Sequence, residues 1–253
     1  MQKNKTQKPE MVALITGAAR RIGAEIAREL HADGLNVVLH YQNSEAEAKS
    51  LCASLNVLRP DSAMLVRGDL CEISKLDALV AEAVKPWGRL DVLVNNASRF
   101  YRTPAGAVTE AAWDDLMDAN VKAQFFISQA AAPYLEKQQG CIINIADIHG
   151  ERPMQDYSTY CISKAALIML TKALAKDWGG KIRVNAISPG QMIFPEGENE
   201  LTDAIKEKII KRTVMNRIGS PTEIAKAVVF LVRGANYITG HVLAVDGGRS
   251  LTI

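Results

Sequence analysis

The feature that most constrains this chain is a repeated alternation of short apolar runs with longer helical patterns. Runs rich in Val, Ile and Leu occupy residues 11–16, 36–41, 63–67, 90–95, 141–146, 182–188 and 241–245. Helical patterns at 21–33, 44–57, 73–85, 110–137, 157–178 and 221–232 lie between them or precede the last run. Continuous apolar strands joined through helices are typical of parallel sheets covered on both faces. The pattern predicts an α/β fold with a doubly wound, seven-stranded parallel sheet.

The same survey predicts one domain over residues 11–253, because no linker, repeat or low-complexity tract interrupts them. Residues 1–10 are polar and basic without the apolar stretch of a secretion signal, and we expect a flexible tail there. The balance of 30 Lys and Arg against 28 Asp and Glu disfavours a nucleic-acid partner. No apolar run is long enough for a membrane helix. We therefore expect a cytoplasmic protein that acts on a small molecule.

Four cysteines, at positions 52, 71, 141 and 161, are scattered without metal-site spacing. Neither a bound metal nor a disulfide framework is expected from them.

One segment, 191–217, breaks the alternation with a Gly-, Pro- and Glu-containing stretch followed by a helical pattern at 201–212. It follows the carboxyl end of a strand, where open α/β sheets bind ligands. We interpret it as a loop and helix that cover the substrate.

The turn after the first strand has the composition of a phosphate-binding loop. It contains Gly17 and Gly23, with Arg21 and Ile22 just before the second glycine. Glycine allows the backbone to turn tightly and to approach a pyrophosphate, and the following helix offers free N–H groups. The spacing differs from the usual G-x-G-x-x-G, but the strand-turn-helix context is the one that this motif requires. A dinucleotide-binding, Rossmann-like sheet is expected.

The end of the second strand favours NADPH over NADH. NAD sites usually place an Asp or Glu there to hold the ribose hydroxyls. Here the strand ends at His40 and Tyr41, and the first acid is Glu45. Since no carboxylate would repel a 2′-phosphate, we expect Arg21, His40 and Ser44 to hold it through charge-assisted or hydroxyl hydrogen bonds.

Polar residues also follow the third and fourth strands. Asp69 and Leu70 come just after the third strand, and Asn95, Asn96 and Ala97 end the fourth. The carboxyl ends of neighbouring parallel strands meet at one edge, so these residues are expected to line the cofactor site. Asp and Asn are also common turn formers, which is the alternative explanation for them.

A tyrosine and a lysine, Tyr160 and Lys164, lie four residues apart at the start of a long helical pattern. This spacing places them on one helix face. An ammonium close to a phenol stabilises phenolate, so we expect Tyr160 to exchange a proton near neutral pH.

Together these motifs resemble the short-chain dehydrogenase/reductase family over nearly the whole chain from residue 11. The resemblance implies that Tyr160 is the proton donor and that Lys164 lowers its pKa and holds the nicotinamide ribose. It also implies that Asn120 orders a proton-relay water and that Pro189 and Gly190 contact the cofactor.

One position departs from the family pattern. The family has a serine about a dozen residues before the tyrosine, and here Asp147 occupies that place. An ionised carboxylate accepts hydrogen bonds and cannot donate one to a ketone oxygen. With Phe100 after Asn96, Ala97 and Ser98, this departure resembles the pteridine reductase branch. The branch implies a pterin stacked on Phe100, in contact with Asp147, Tyr160 and Gly190, and a Ser98 hydroxyl that reaches the cofactor or the pterin.

The expected activity is NADPH-dependent reduction of a dihydropterin to the tetrahydro form. Two alternatives stay open: a carbonyl reductase acting on a 3-oxoacyl thioester or another ketone, and a catalytically idle dinucleotide-binding regulator. The family resemblance, with apolar helix patterns at 123–135 and 165–178, implies a homotetramer.

Overall fold

A computed structural model describes residues 10–194 and 202–252 of the chain. In these residues the strands are β1 (Val12–Ile15), β2 (Asn36–Tyr41), β3 (Ala63–Arg67), β4 (Val92–Asn95), β5 (Cys141–Ile145), β6 (Arg183–Pro189) and β7 (Val242–Val245). They form one parallel sheet in the order β3-β2-β1-β4-β5-β6-β7. The predicted doubly wound, seven-stranded parallel sheet is confirmed, with strand ends that differ from the sequence pattern by one or two residues.

The helices are α1 (Arg21–Ala32), α2 (Glu45–Leu58), α3 (Leu76–Val84), α4 (Glu110–Met117), α5 (Ala123–Gln138), α6 (Ser158–Asp177), α7 (Asp203–Lys211) and α8 (Pro221–Arg233). The helix predicted over 110–137 is wrong in one respect, because a π-helical turn, Asp118–Lys122, divides it into α4 and α5. Such turns are rare and often lie at functional sites. In the described part of the chain, no helix is long and apolar enough to span a membrane.

Both faces of the sheet are buried, as the apolar strands predict. Every residue of β1 is solvent-inaccessible, and successive side chains point to opposite faces. Ala13 and Ile15 join a core that includes α1 and α8, whereas Val12 and Leu14 join a core with α3, α5 and α6. The side chains of the central strands are therefore used for packing, and chemistry is left to the residues at the strand ends.

The reversal of strand order between β1 and β4 positions the site. Connections from β1 run to one side of the sheet and connections from β4 to the other, which leaves a crevice at their carboxyl ends. The glycine turn follows β1 at this point, and Asn96 and Ala97 follow β4 beside it.

Two predicted segments lie wholly or partly outside the described residues. They are the tail 1–10, apart from Glu10, and residues 195–201 of the substrate segment.

Candidate active site

A cleft of about 860 Å³ runs along the carboxyl ends of the strands. The residues that the sequence predicted for the site line it, except Asn95 and Asn120, which do not. The lining residues are Gly17, Arg21, Ile22, Gly23, His40, Tyr41, Ser44, Asp69, Leu70, Asn96, Ala97, Ser98, Phe100, Asp147, Tyr160, Lys164, Pro189 and Gly190. Residues from six different strand ends and their loops thus meet in one place.

The glycine turn is held by Asn96. Its side-chain amide donates to the carbonyl oxygens of Thr16 and Gly17 at 2.9 and 3.1 Å. Gly17 has φ +61°, and a Cβ at Gly23 would lie 2.3 Å from the Gly17 carbonyl oxygen. Since only glycine fits at Gly23, α1 can begin directly against the turn. Asn96 is therefore a clamp for the phosphate loop.

The start of α1 is open to an anion. Arg20 at its N-cap makes no capping hydrogen bond, and the first turn contains no acidic residue. Arg21 is exposed, with φ +52°, and lines the cleft. Free N–H groups at a helix start, next to a guanidinium, suit a phosphate.

The neighbouring end of β2 carries no free carboxylate toward this turn. Ser44 lines the cleft at the start of α2 without a side-chain capping bond. Glu45, the first acid after β2, pairs with Lys49 at 2.6 Å. A 2′-phosphate would thus meet Arg21 and Ser44 without an opposing free charge.

His40 is not available as a charged phosphate ligand, contrary to the expectation from sequence. Its Nδ1 accepts from the Gly17 N–H at 3.2 Å, and its Nε2 lies 3.2 Å from the Gly68 carbonyl oxygen. Burial lowers the pKa of His40 to about 4. The imidazole is consequently neutral at pH 7, with Nε2 donating to Gly68, and it braces the glycine turn.

Asp69 serves the local backbone as the turn-former explanation suggested. One of its carboxylate oxygens accepts from the Cys71 N–H at 2.9 Å. Asp69, Leu70 and Cys71 together form the wall of the cleft beyond β3. Their contact with an adenine remains a prediction.

Asp147 and Tyr160 are joined by a direct hydrogen bond. The Tyr160 hydroxyl donates to Asp147 Oδ2 at 2.7 Å, and Asp147 Oδ1 accepts from the His149 N–H at 2.8 Å. Burial raises the pKa of Tyr160 well above its usual value, and the charge and hydrogen bond of Asp147 raise it further. This direction is opposite to the expected lowering by Lys164. The phenol of Tyr160 therefore holds its proton throughout the neutral range.

Lys164 is buried, with 3% of its surface exposed. Its Nζ donates to the Ile145 carbonyl oxygen at 3.0 Å and lies 5.7 Å from the centroid of the Tyr160 ring. Burial lowers the pKa of Lys164 to about 8, although Asp147 opposes that shift. An ammonium has three N–H donors, so two remain for a ribose or another ligand in the cleft.

Asn120 lies behind the cleft in the π-helical turn. Its Oδ1 accepts from the Arg99 N–H at 2.8 Å, and its Nδ2 donates to the Arg99 carbonyl oxygen and to Ser163 Oγ, both at 3.0 Å. The amide is 1% exposed. The side chain thus fixes the loop after β4 against α6, and its part in a water relay stays a prediction.

An aromatic cluster forms one wall near the catalytic pair. Phe100 stacks on Tyr157 with ring centroids 4.8 Å apart and an interplanar angle of 15°. It meets Tyr160 edge to face at 4.7 Å. Phe100 is 56% exposed, which leaves apolar ring surface free for a flat ligand.

Sequence reasoning missed several lining residues. Tyr157, His149, Met154, Cys71, Ile205, Ile209 and Arg249 also face the cleft. Ile205 and Ile209 come from α7, within the predicted substrate segment. Arg249 follows β7, and its position just beyond a strand's carboxyl end is the signal that could have identified it.

Among the described residues, no group of three His, Cys, Asp or Glu side chains could hold a metal.

These features fit a nicotinamide dinucleotide: an uncapped helix start with a guanidinium, a clamped glycine turn and a buried ammonium with free donors. A Rossmann-type sheet with such a cleft, and with tyrosine and lysine four residues apart in it, defines a class of dinucleotide-dependent oxidoreductases.

Comparison with known proteins agrees with this class. A family model described as enoyl-(acyl carrier protein) reductase matches residues 17–250. Pteridine reductase 1 of Leishmania tarentolae is 37% identical, over 95% of this chain and 96% of that protein. The 3-oxoacyl-[acyl-carrier-protein] reductase FabG of Staphylococcus aureus is 35% identical, over 93% of this chain and 96% of its own length. The chain belongs to the short-chain dehydrogenase/reductase family, and it is an oxidoreductase.

Proposed function

We propose that this chain is an NADPH-dependent pteridine reductase that converts 7,8-dihydropterins, such as dihydrobiopterin or dihydromonapterin, to tetrahydropterins. The observation that carries the proposal is the hydrogen bond from Tyr160 to Asp147. It makes the residue at the usual serine position an acceptor, which suits a substrate with ring N–H and amino groups. Dihydrofolate is a further candidate substrate of the same class.

The reaction adds a hydride to the carbon of a ring C=N bond and a proton to its nitrogen. When bound, NADPH would supply that hydride, with its two electrons, and would become NADP⁺. Tyr160 transfers its phenolic proton to the ring nitrogen. Asp147 lies in direct contact with the resulting phenolate and is partly open to solvent, so it takes up a proton from water and passes it to Tyr160.

The other residues of the site orient the reactants. Lys164 holds its ammonium near Tyr160, where it stabilises the phenolate, and its two remaining donors would hold the nicotinamide ribose. Phe100 supports the flat face of the substrate, with Ser98 and Gly190 at its edges. Arg21 and Ser44 hold the 2′-phosphate, which is the reason for the preference for NADPH.

A ketone reductase is the second candidate. The 3-oxoacyl-[acyl-carrier-protein] reductase FabG is 35% identical to this chain, which is nearly the identity of the pteridine reductase. Asp147 disfavours this activity, because a carboxylate repels a developing alkoxide. An idle dinucleotide-binding protein is the third possibility, which the same assay tests.

One assay separates the three. Purified protein is mixed with NADPH or NADH, and oxidation of the cofactor is followed with dihydrobiopterin and then with an acetoacetyl thioester. We expect turnover of dihydrobiopterin with NADPH. Turnover of the thioester alone would instead establish the ketone reductase, and binding without turnover of either would establish the idle protein. Equal rates with NADH would contradict the cofactor preference.

The variant Asp147→Ser tests the carboxylate itself. Serine can still accept from the His149 N–H, because both residue types cap a helical turn, so the local backbone should be retained. We expect the rate with dihydrobiopterin to fall by about 100-fold, in the range for loss of a general acid–base group. Asp114→Ser, on the exposed face of α4, is the matched control. An unchanged rate in Asp147→Ser would show that the carboxylate has no part in the reaction.

We further propose that the chain assembles as a homotetramer. Phe125 on α5 and Ile162 and Met169 on α6 are exposed apolar side chains on helices that this family uses for assembly. Light scattering of the purified protein should give about four times the chain mass of 27.6 kDa. A mass of one chain would contradict this arrangement.

A further inference from the structure

The closing turn of the chain brings a guanidinium into the cleft. Arg249 begins the 3₁₀ turn Arg249–Leu251 after β7, and it lines the same cleft as Asp147 and Tyr160. Its Nη1 is shielded from solvent and has no hydrogen-bond partner among residues 10–194 and 202–252. Buried donors are almost always paired, so this atom calls for an acceptor from outside the described chain.

The nearby acids are already engaged elsewhere. Asp246 accepts from the N–H groups of Gly248 and Ser250 at 2.9 and 2.7 Å, one with each carboxylate oxygen. Each oxygen of Asp147 accepts one hydrogen bond, from the His149 N–H and from the Tyr160 hydroxyl, and keeps a second lone pair for a ligand. Burial lowers the pKa of Arg249, Arg212 lowers it further, and Asp147 and Asp246 raise it. Arg249 is therefore a charged donor close to Asp147 but not bonded to it.

The position of Arg249 is fixed by the backbone. Gly248, just before it, has φ +80°, and a Cβ there would lie 2.8 Å from Val214 Cβ. The Met215 N–H donates to the Gly247 carbonyl oxygen at 3.0 Å, and Thr252 Oγ1 donates to the Arg212 carbonyl oxygen at 2.6 Å. These contacts tie the closing turn to the segment after α7. The guanidinium is thus held at the cleft by two elements on the substrate side.

We propose that Arg249 is a substrate-binding residue that donates a hydrogen bond from Nη1 to the carbonyl oxygen of the pterin ring. The inference rests on the proposed function. It assigns complementary parts to the two charged groups: Asp147 accepts from ring N–H groups, and Arg249 donates to the ring oxygen. The acceptor is assigned to the ring, because Arg249 lines the same cleft as Asp147, Tyr160 and Phe100, the residues that the proposal gives to the pterin.

Substitution of Arg249 tests this assignment against a matched arginine. We expect Arg249→Leu to raise the KM for dihydrobiopterin by 10- to 100-fold, as for loss of a hydrogen bond from a charged group. Arg249→Gln keeps an N–H donor on a shorter side chain, so its KM should fall between those of Arg249→Leu and the unaltered protein. Arg212→Leu removes a nearby positive charge that does not line the cleft, and it should change the KM by less than threefold.

Two further readouts separate substrate binding from a general structural effect. The Kd for NADPH and the thermal midpoint of Arg249→Leu should stay close to those of the unaltered protein. A 2,4-diaminopteridine has an amino group in place of the ring oxygen, so its inhibition constant should be insensitive to Arg249→Leu. Equal weakening of the diamino compound and dihydrobiopterin would overturn the carbonyl contact.

The outcomes also distinguish this inference from the function on which it rests. If the unaltered protein fails to reduce dihydrobiopterin, the proposed function is wrong and the inference falls with it. If the unaltered protein is active and Arg249→Leu has the same KM, only the inference is wrong. If the KM rises with dihydrofolate but not with dihydrobiopterin, the arginine binds the acidic tail of dihydrofolate, and the ring assignment is overturned.

Discussion

Replacing Lys164 with methionine should stabilise the fold while abolishing reduction. Lys164 is buried in α6, and burial lowers its pKa from 10.5 to about 8. At pH 7 the folded protein therefore keeps a charge in a place that disfavours it. Methionine has a similar shape and no charge, so Lys164→Met removes that penalty.

The magnitude follows from the shift in pKa. At about 1.4 kcal/mol per unit, a lowering from 10.5 to about 8 corresponds to about 3 kcal/mol. Loss of the hydrogen bond to the Ile145 carbonyl oxygen offsets about 1 kcal/mol of this gain. We expect Lys164→Met to raise the free energy of unfolding by about 2 kcal/mol at pH 7. For a chain of this size that is a rise in Tm of about 4–8 °C.

The dependence on pH has a definite sign. Between pH 8 and 10.5 the unfolded protein keeps the Lys164 proton and the folded protein releases it, so unfolding of the unaltered protein becomes less favourable as pH rises. The variant lacks this gain. Its advantage should shrink from pH 7 to pH 10, which urea unfolding followed by tryptophan fluorescence can measure without cofactor.

The matched control is Lys172→Met, which changes an exposed lysine on the same helix. It should alter the free energy of unfolding by less than about 0.5 kcal/mol at any of these pH values. If Lys164→Met is less stable than the unaltered protein at pH 7, the buried ammonium does not destabilise the fold and the reasoning is refuted. A difference that stays constant with pH would refute it equally.

Two further predictions concern the frame around the cofactor site. Because the pKa of His40 is lowered from 6.5 to about 4, the free energy of unfolding of the unaltered protein should fall by about 2 kcal/mol between pH 7 and pH 5, where only the unfolded chain takes up the proton. His40→Gln should lose less, as urea unfolding at pH 5 and 7 would show; equal acid sensitivity would contradict the neutral, bracing histidine. Gly23→Ala should weaken NADPH binding by more than tenfold in a fluorescence titration, since its Cβ would lie 2.3 Å from the Gly17 carbonyl oxygen, whereas Gly106→Ala, with open space around it, should leave binding unchanged.

The order and direction of the strands could be predicted from sequence because burial on both faces leaves a clear pattern. Runs such as residues 36–41 are apolar along most of their length, and a parallel strand is the structure that buries both of its faces. The π-helical turn at Asp118–Lys122 could not be predicted in this way. Its side chains keep helical spacing, and the extra residue is accommodated by contacts with distant parts of the chain, such as Asn120 with Arg99.

The cleft itself was largely predictable, since carboxyl ends of parallel strands converge whatever the side chains are. The charge state of a residue within it was not. The spacing of Tyr160 and Lys164 predicted a lowered tyrosine pKa, but burial and the hydrogen bond to Asp147 raise it. Position along a helix reports which groups are near each other, whereas the pKa depends on desolvation by residues far away in sequence.

Hydrogen-bonding capacity separates two kinds of polar residue in this site. His40, Asn96 and Asn120 form hydrogen bonds with the backbone of the loops, so they set the shape of the cleft. Lys164 and Arg249 have N–H donors that form no hydrogen bond within the described chain, and these donors are available to a ligand. The two groups cannot be told apart from residue type or from position after a strand, because both are polar and both follow strands or begin helices. What distinguishes them is whether acceptors from other elements take up every donor of the side chain, and that is decided only when the strands assemble.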